Sequence, residues 1–264
     1  MSEEVEIQPI PSVKDLASSE PFIRRSCLKD IIFHLNDRSA TAPLTLTQCL
    51  QLWRGLYVAL YMHDSKNAIS VQNLTAELAG TVRAMFAKDE ERGSDGQTSS
   101  WLATWASAFW ATICREWASI DQWRMNKVLL LVRFFLRETF NVILVSVSKT
   151  DVDVKATSKN LLTTQITVLE TWPLSPRDRK VPDGLRLHVL DIWVDELAGQ
   201  IGSAERGNDE SKGNQSGNLK SHLIEASTRC MTPVENLSKE ALSKGVKLRA
   251  KDALKIFQEK FSAS

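Results

Sequence analysis

The sequence has little histidine and cysteine, and it carries none of the short motifs that mark common enzyme classes. It contains four residues of each type, and no HExxH, P-loop, GxGxxG or GxSxG pattern occurs in it. We therefore expect a protein that is not an enzyme. We also expect it to need no cofactor, no metal and no small-molecule substrate.

Long apolar runs are absent as well. The longest, VLLLVRFFL at 128–136, contains Arg133 and is far too short to cross a bilayer. The N-terminal MSEEVEIQPIPS is acidic and has no apolar signal core. We expect a cytosolic or nuclear protein with no membrane partner.

An excess of charge of one sign is also missing. The net charge is +1, so no overall basic field points to a nucleic-acid partner. Residues 201–264 carry 11 Lys or Arg against 8 Asp or Glu. Any basic surface is therefore local and weighted toward the C-terminal end.

The cysteines show no pattern of disulfide or metal pairing, because no two of them are close enough for a CxxC clamp. Cys27, Cys49 and Cys114 each lie among apolar residues, as small core side chains do. A Cys–His nucleophile has no sequence context, so we interpret these thiols as core residues in a reducing compartment.

What the sequence has in abundance is helical periodicity, and strand-like alternation is nearly absent. We predict about ten helices in one domain over 1–264. The polar stretch 88–100 and the Gly/Ser/Asn-rich stretch 202–218 are predicted to be loops, the second of them flexible. The predicted helices cover 21–37, a segment from about 46, 71–86, 101–120, 121–147, 152–171, 181–197, 219–230, 233–242 and 246–261.

The helix VPDGLRLHVLDIWVDEL at 181–197 is apolar on two sides. One stripe holds Leu185, Val189, Ile192 and Trp193, and the other holds Leu187, Leu190, Val194 and Leu197. An inner helix of a stack needs two apolar faces, because it packs on its own partner and on the next repeat. We predict an all-α fold, a HEAT-like stack of antiparallel helix pairs (an α-solenoid), with a compact helical bundle as the alternative.

Between these stripes, His188, Asp191 and Asp195 share a helical face at i, i+3 and i+7. Such a set could hold a metal ion, and a metal nuclease would need converging carboxylates of this kind. We favour a polar seam, in which Asp191 and Asp195 form buried or half-buried pairs with neighbouring helices. Asp121 and Arg124 are expected to pair in the same way.

Tryptophans crowd the middle of the chain, at positions 101, 105, 110, 117 and 123. They could be platforms on which nucleobases stack. We favour an aromatic core, because these residues alternate with small ones in helical phase. The predicted core anchors are Trp53, Trp110, Trp117 and Trp193.

Three groups of cations are candidates for contacts with RNA phosphates or a partner, because phosphate binding needs clustered positive charge. The first lies on the helix after residue 121, the second in SPRDRKVPDG, and the third along one edge of the last helix. Their members are Arg124, Lys127, Arg133 and Arg137; Arg177, Arg179 and Lys180; and Lys247, Lys251 and Lys255. A solvated helix edge is the simpler interpretation of the third group.

Four stretches together resemble one family in order and spacing. They are RRSCLKDIIFHL (24–35), LWRGLYVALYMHDSK (52–66), FWATICREWASIDQWRMNKVLLLVRFFLRETF (109–140) and VPDGLRLHVLDIWVDEL (181–197). In these the chain resembles the ribosomal RNA processing protein 1 family, also called the nucleolar protein 52-like family, over roughly 20–200. It departs from the family at Asn126, where an acidic residue is common, and many relatives carry a long charged C-terminal extension.

The resemblance implies a eukaryotic nucleolar protein of ribosome biogenesis, acting in pre-rRNA processing and large (60S) subunit assembly. Family members look like helical scaffolds on pre-ribosomal particles, and the family pattern defines no catalytic residue. The implied partners are ribosome assembly factor proteins, with pre-rRNA as a further contact. The alternative is an adaptor that binds proteins only.

Overall fold

The computed structural model describes residues 9–93, 100–148, 152–209 and 216–261. Within them the fold is all-α, as predicted, and these residues form no strand. Short 3-10 turns lie at Lys14–Ala17 and Trp117–Ser119. The helices are α1 (Pro21–Asp37), α2 (Leu46–Met62), α3 (Ala68–Arg92), α4 (Trp101–Glu116), α5 (Gln122–Ser148), α6 (Val152–Thr171), α7 (Asp183–Asp209), α8 (Ser216–Cys230), α9 (Thr232–Glu240) and α10 (Lys244–Phe261).

The chain divides into two compact units. The N-terminal unit is Met1–Thr112 and the C-terminal unit is Ile113–Ser264. Whether these units form the single domain expected over 1–264 is not tested by this division, and the single domain stays a prediction.

Helix starts in the N-terminal unit follow local rules. Pro21 opens α1, where its missing N–H costs no hydrogen bond. Thr45 and Gln48 form a reciprocal capping box at α2. Asn67 caps α3 by accepting from the backbone N–H of Ser70.

The core of the N-terminal unit is aromatic and joins α2 to α4. The rings of Trp53 and Trp105 lie 4.9 Å apart, and Phe109 meets Trp53 edge-on at 4.8 Å. Each buried indole also finds an acceptor: Trp53 donates to the carbonyl of Trp105 at 3.2 Å, and Trp105 donates to the Thr81 hydroxyl at 2.9 Å. These bonds remove the cost of burying a polar N–H among apolar side chains.

In the C-terminal unit, α7 packs on α5, on α8 and on α10. The Trp193 ring lies edge-on to Phe140 of α5 at 5.0 Å. All members of the two predicted stripes are buried except Leu187, which is half-buried. The helix is apolar on two sides because neighbouring helices cover both of them.

The contacts of α7 run in register along both neighbours. On α5, His188 meets residue 129 and Gln200 meets Asn141; on α10, Asp191 meets Arg249 and Asp195 meets Lys260. Helices α5, α7 and α10 therefore run in the same direction, while α6, α8 and α9 contact one another. This arrangement within the unit fits the predicted stack of helix pairs and also the alternative, a compact helical bundle.

The two predicted loops are in part helical, which corrects the prediction. Helix α3 continues to Arg92, and Asp89 on its last turns caps the next helix. The Asp89 carboxylate accepts from the backbone N–H groups of Trp101 at 2.8 Å and Leu102 at 3.0 Å. Helix α7 continues to Asp209 and α8 begins at Ser216. The rest of both stretches, 94–99 and 210–215, lies outside the described residues.

Candidate functional site

The polar centre of the C-terminal unit is a carboxylate held between two arginines. Glu196 on α7 is only 5% exposed, and it pairs with Arg133 and Arg137 of α5. Arg137 donates to the two carboxylate oxygens at 2.7 and 3.3 Å, and its guanidinium lies 4.6 Å above the Phe134 ring. Two of the cations predicted to meet RNA or a partner are therefore engaged inside the unit.

The first turns of α5 hold the other two cations of that group. Lys127 is only 4% exposed, so the structure removes it from any exposed surface. Asp121 accepts from the backbone N–H of Arg124 at 2.9 Å and also pairs with its guanidinium. This predicted pair therefore forms and caps α5, and both of its side chains are partly exposed.

The loop before α7 is fixed by an arginine that sequence reasoning did not single out. Arg186 is buried and donates to the carbonyls of Ser175 at 2.6 Å and Asp178 at 2.6 Å, and it pairs with Asp183 at 3.0 Å. A basic residue three positions after Asp183 in a helix start was the only sequence signal.

Because Arg186 holds this loop, the cations on it have defined positions. Arg177 pairs with Glu240 at 3.6 Å, and both side chains are well exposed. Arg179 and Lys180 are exposed as well. These two remain candidates for an external anion.

On α10, Lys251 and Lys255 are exposed and Lys247 is half-buried. The neighbouring cations of this helix instead reach α7. Arg249 lies 3.1 Å from Asp191, and Lys260 lies 3.4 Å from Asp195. The predicted seam forms, but its carboxylates lie at the surface, since Asp191 and Asp195 are about half exposed or more.

His188 lies on α7 and does not belong to a metal cluster among the described residues. Its Nε2 lies 3.0 Å from the Leu129 carbonyl, which can only accept, so the imidazole donates. Across the described residues, no group of three or more His, Cys, Asp or Glu is placed to hold a metal ion. Burial lowers the pKa of His188, which favours the neutral ring.

The burial of His188 predicts a loss of stability in acid. Below the ordinary histidine pKa of about 6.5, the unfolded chain takes up a proton that the folded chain binds less readily. The free energy of unfolding should therefore fall as the pH drops from about 7 to about 5. In the His188→Gln variant this fall should be shallower, as measured by urea unfolding. His34, whose pKa burial also lowers, contributes equally to both proteins, and equal slopes would contradict the assignment.

The tryptophans do not all lie in the core. Trp53, Trp110 and Trp193 are buried, as predicted. Trp117 is only half-buried and lies against Gly184, where an added Cβ would meet the indole at 3.1 Å. Trp123 is 79% exposed. The core prediction is wrong for Trp123 and too strong for Trp117, because the 3-10 turn after α4 breaks the helical phase.

The four cysteines are free and buried, which confirms the predicted core placement of Cys27, Cys49 and Cys114. Burial raises the pKa of the Cys49, Cys114 and Cys230 thiols to about 12. A thiol of this kind stays protonated at neutral pH and is a poor nucleophile.

Comparison with known proteins gives one consistent result. The sequence model of the family described as "Nucleolar protein, Nop52" matches residues 7–263. The chain is 29% identical over 192 residues to ribosomal RNA processing protein 1 homolog A of Mus musculus, covering 72% of this chain and 34% of that protein. It is 26% identical over 193 residues to homolog B of Mus musculus, covering 72% of this chain and 23% of the relative.

A relative from Drosophila melanogaster, ribosomal RNA processing protein 1 homolog, is 26% identical over 203 residues. The match covers 75% of this chain and 26% of that protein. The chain thus spans 23% to 34% of the length of these curated relatives. Among the described helices, none is both long and apolar enough to cross a membrane.

Proposed function

Because the chain belongs to the nucleolar protein Nop52 family, we propose that it acts in ribosomal RNA processing and ribosome biogenesis. The observation that carries this proposal is the family match over residues 7–263, which takes in both units. Three relatives are named ribosomal RNA processing protein 1 homologs. The same match supports a nucleolar location.

In finer terms, the protein is a scaffold of helices on pre-ribosomal particles of the large subunit. It binds ribosome assembly factors, contacts pre-rRNA through exposed cations and performs no catalysis. Its architecture suits this role, because a stack of helices offers extended surfaces to several partners. The candidate carboxylates of a nuclease, Asp191 and Asp195, each face a cation of α10.

Purification of the tagged protein from nuclear extract, with and without RNase, tests the proposal. We expect pre-rRNA and large-subunit proteins to co-purify with it. Absence of both from the sample that was not treated with RNase would overturn the proposal.

An adaptor that binds only proteins is the second candidate. The positions of three cations on α5 favour it. Arg133 and Arg137 are engaged by Glu196, and Lys127 is buried. If assembly factors stay bound after RNase while RNA contacts prove dispensable, the adaptor is the better description.

Charge reversal on α10 measures how much the remaining cations contribute. Replacing Lys247, Lys251 and Lys255 with Glu should weaken RNA affinity and flatten its dependence on salt, because binding releases about one counterion fewer for each phosphate that the variant does not neutralise. Filter binding over a salt series, with melting curves to check folding, measures both effects. An unchanged affinity would leave these lysines as a solvated edge, and reversal of Arg179 and Lys180 is the matched comparison.

A further inference from the structure

We propose that the outer face of α1 is the docking site for an acidic amphipathic helix of a partner protein. The face consists of Phe22, Arg25, Lys29 and Phe33, and we call it the α1 face. It deepens the proposed scaffold role and rests on it, since it names where one protein partner binds.

The first observation is that α1 is apolar on two sides, and only one of them is covered. Its inner side buries Cys27, Leu28, Ile31 and Leu35. On its outer side Phe22 is 83% exposed and Phe33 is 69% exposed. In α7 the second apolar side is covered by a neighbouring helix; on α1 no described residue covers it. Two phenylalanines exposed to this degree on one face of a helix are candidate anchors for a partner, because aromatic residues are enriched at the cores of interfaces.

The second observation is their spacing. At 100° per residue, the four members of the α1 face lie within about 80° of each other. Phe22 and Phe33 are three turns apart, about 16 Å along the axis at 1.5 Å per residue. A helix laid along this face would place apolar residues on both rings from positions such as i and i+11.

The third observation is a groove at the Phe22 end of the face. It encloses about 360 Å³, and its lining is mixed. Pro21, Leu28, Ala59 and Leu74 are apolar, and the remaining lining residues are polar or charged: Arg24, Arg25, His63, Ser70, Asn73 and Glu77. Beside it, Ile69 and Met62 are exposed apolar side chains that adjoin groove residues in the chain. This concave site thus combines apolar side chains from α1, α2 and α3 with the Arg25–Glu77 ion pair, so it can take an apolar anchor beside a polar group.

The fourth observation is charge, and it selects the occupant. The Arg25 guanidinium pairs with Glu77. The Arg24 guanidinium is held by the carbonyls of Ser18 at 2.7 Å and Ser19 at 2.9 Å. Lys29 is exposed, and no described carboxylate pairs with it.

A cation that no described carboxylate compensates, lying between two apolar anchors, matches a carboxylate in the middle of a partner helix. It does not match an RNA strand, which needs several cations along its phosphates. A second copy of this chain across a two-fold axis would bring the Lys29 side chains of both copies near each other, which like charge opposes.

Photo-crosslinking in the full-length chain identifies the occupant. Phe33 and, separately, Phe22 are replaced with p-benzoylphenylalanine, which preserves the aromatic ring, and cells are irradiated. We expect both positions to label one protein segment, resistant to RNase, with apolar residues at helical spacing and Asp or Glu between them. Crosslinks to RNA or to a second copy of this chain, or none above the unirradiated sample, overturn the proposal.

Binding of a synthetic peptide of the labelled segment then measures the contribution of each residue. Phe22→Ala/Phe33→Ala should weaken binding by about 30-fold or more, as for buried aromatic anchors. The matched control Phe22→Leu/Phe33→Leu keeps apolar area and should weaken binding far less. Lys29→Glu should weaken binding, and a peptide with its central acid changed to Lys should restore it. Failure of that exchange overturns the charge assignment.

Sedimentation separates this proposal from the proposed function. If the wild-type protein sediments with pre-ribosomal particles but the α1 face labels no acidic helix, docking is wrong and the scaffold stands. If the α1 face labels such a helix but the wild-type protein never sediments with these particles, docking at the face stands and the scaffold function is wrong.

Discussion

Replacing Trp105 with alanine should lower the free energy of unfolding by about 3–5 kcal/mol, the range for removing a fully buried large aromatic side chain. The side chain is completely buried against Trp53. The change leaves a cavity in the aromatic core and deprives the Thr81 hydroxyl of its indole donor. Urea unfolding followed by circular dichroism measures the effect.

Trp123→Ala is the matched control, because it removes the same side chain from an exposed position. This substitution should change the free energy of unfolding by no more than about 0.5 kcal/mol, as for surface substitutions that touch little. Equal losses in the two variants would mean that the tryptophan environments are not those described. A Trp105→Ala variant with unchanged stability would place that residue outside the core.

Removing both arginines from Glu196 should also be costly, by about 3 kcal/mol, because it leaves a buried carboxylate without a partner. This value lies at the low end for buried pairs, since Arg133 and Arg137 are themselves about 40% exposed and water already reaches them. Thermal and urea unfolding of Arg133→Ala/Arg137→Ala measure the loss.

Adding Glu196→Gln to that double variant should recover part of the stability, because a neutral amide costs less to bury than an unpaired carboxylate. A loss below about 1 kcal/mol in the double variant would indicate that Glu196 is hydrated. The result bears on RNA binding too. Any drop in RNA affinity in this variant has to be corrected for unfolding before these arginines are assigned to an RNA surface.

Local periodicity predicted most of the helices, and the physical reason is plain. Residues three and four apart share a face, so buried positions such as Leu185 and Val189 are visible in the sequence itself. Two apolar stripes on one helix also predicted two neighbours for α7, and the structure has α5 and α10 there.

What the sequence did not show are pairings between distant positions. Glu196 lies 63 residues from Arg133, so each looked like an ordinary surface charge on its own helix. Asp89 caps a helix that begins 12 residues later, so its stretch looked like a loop. Trp123 follows a break in helical phase, and periodicity carried across that break placed it in the core.

The exposed side chains of α1 are a second feature that the sequence pattern could not show. Phe22 and Phe33 have the spacing of a buried stripe, and the local pattern contains nothing that distinguishes a covered face from an open one. Only the packing of α1 against its neighbours leaves this second face uncovered.

The buried thiols can report local unfolding of the protein. Cys27 and Cys49 lie in the N-terminal unit, and Cys114 and Cys230 lie in the C-terminal unit. Each is at most 8% exposed, so local opening should limit its reaction with an alkylating reagent, and its labelling rate in the native protein should report a local opening free energy. Mass spectrometry resolves the four sites. Rates that match within each pair and differ between pairs would show that the two units open independently, without any engineered probe.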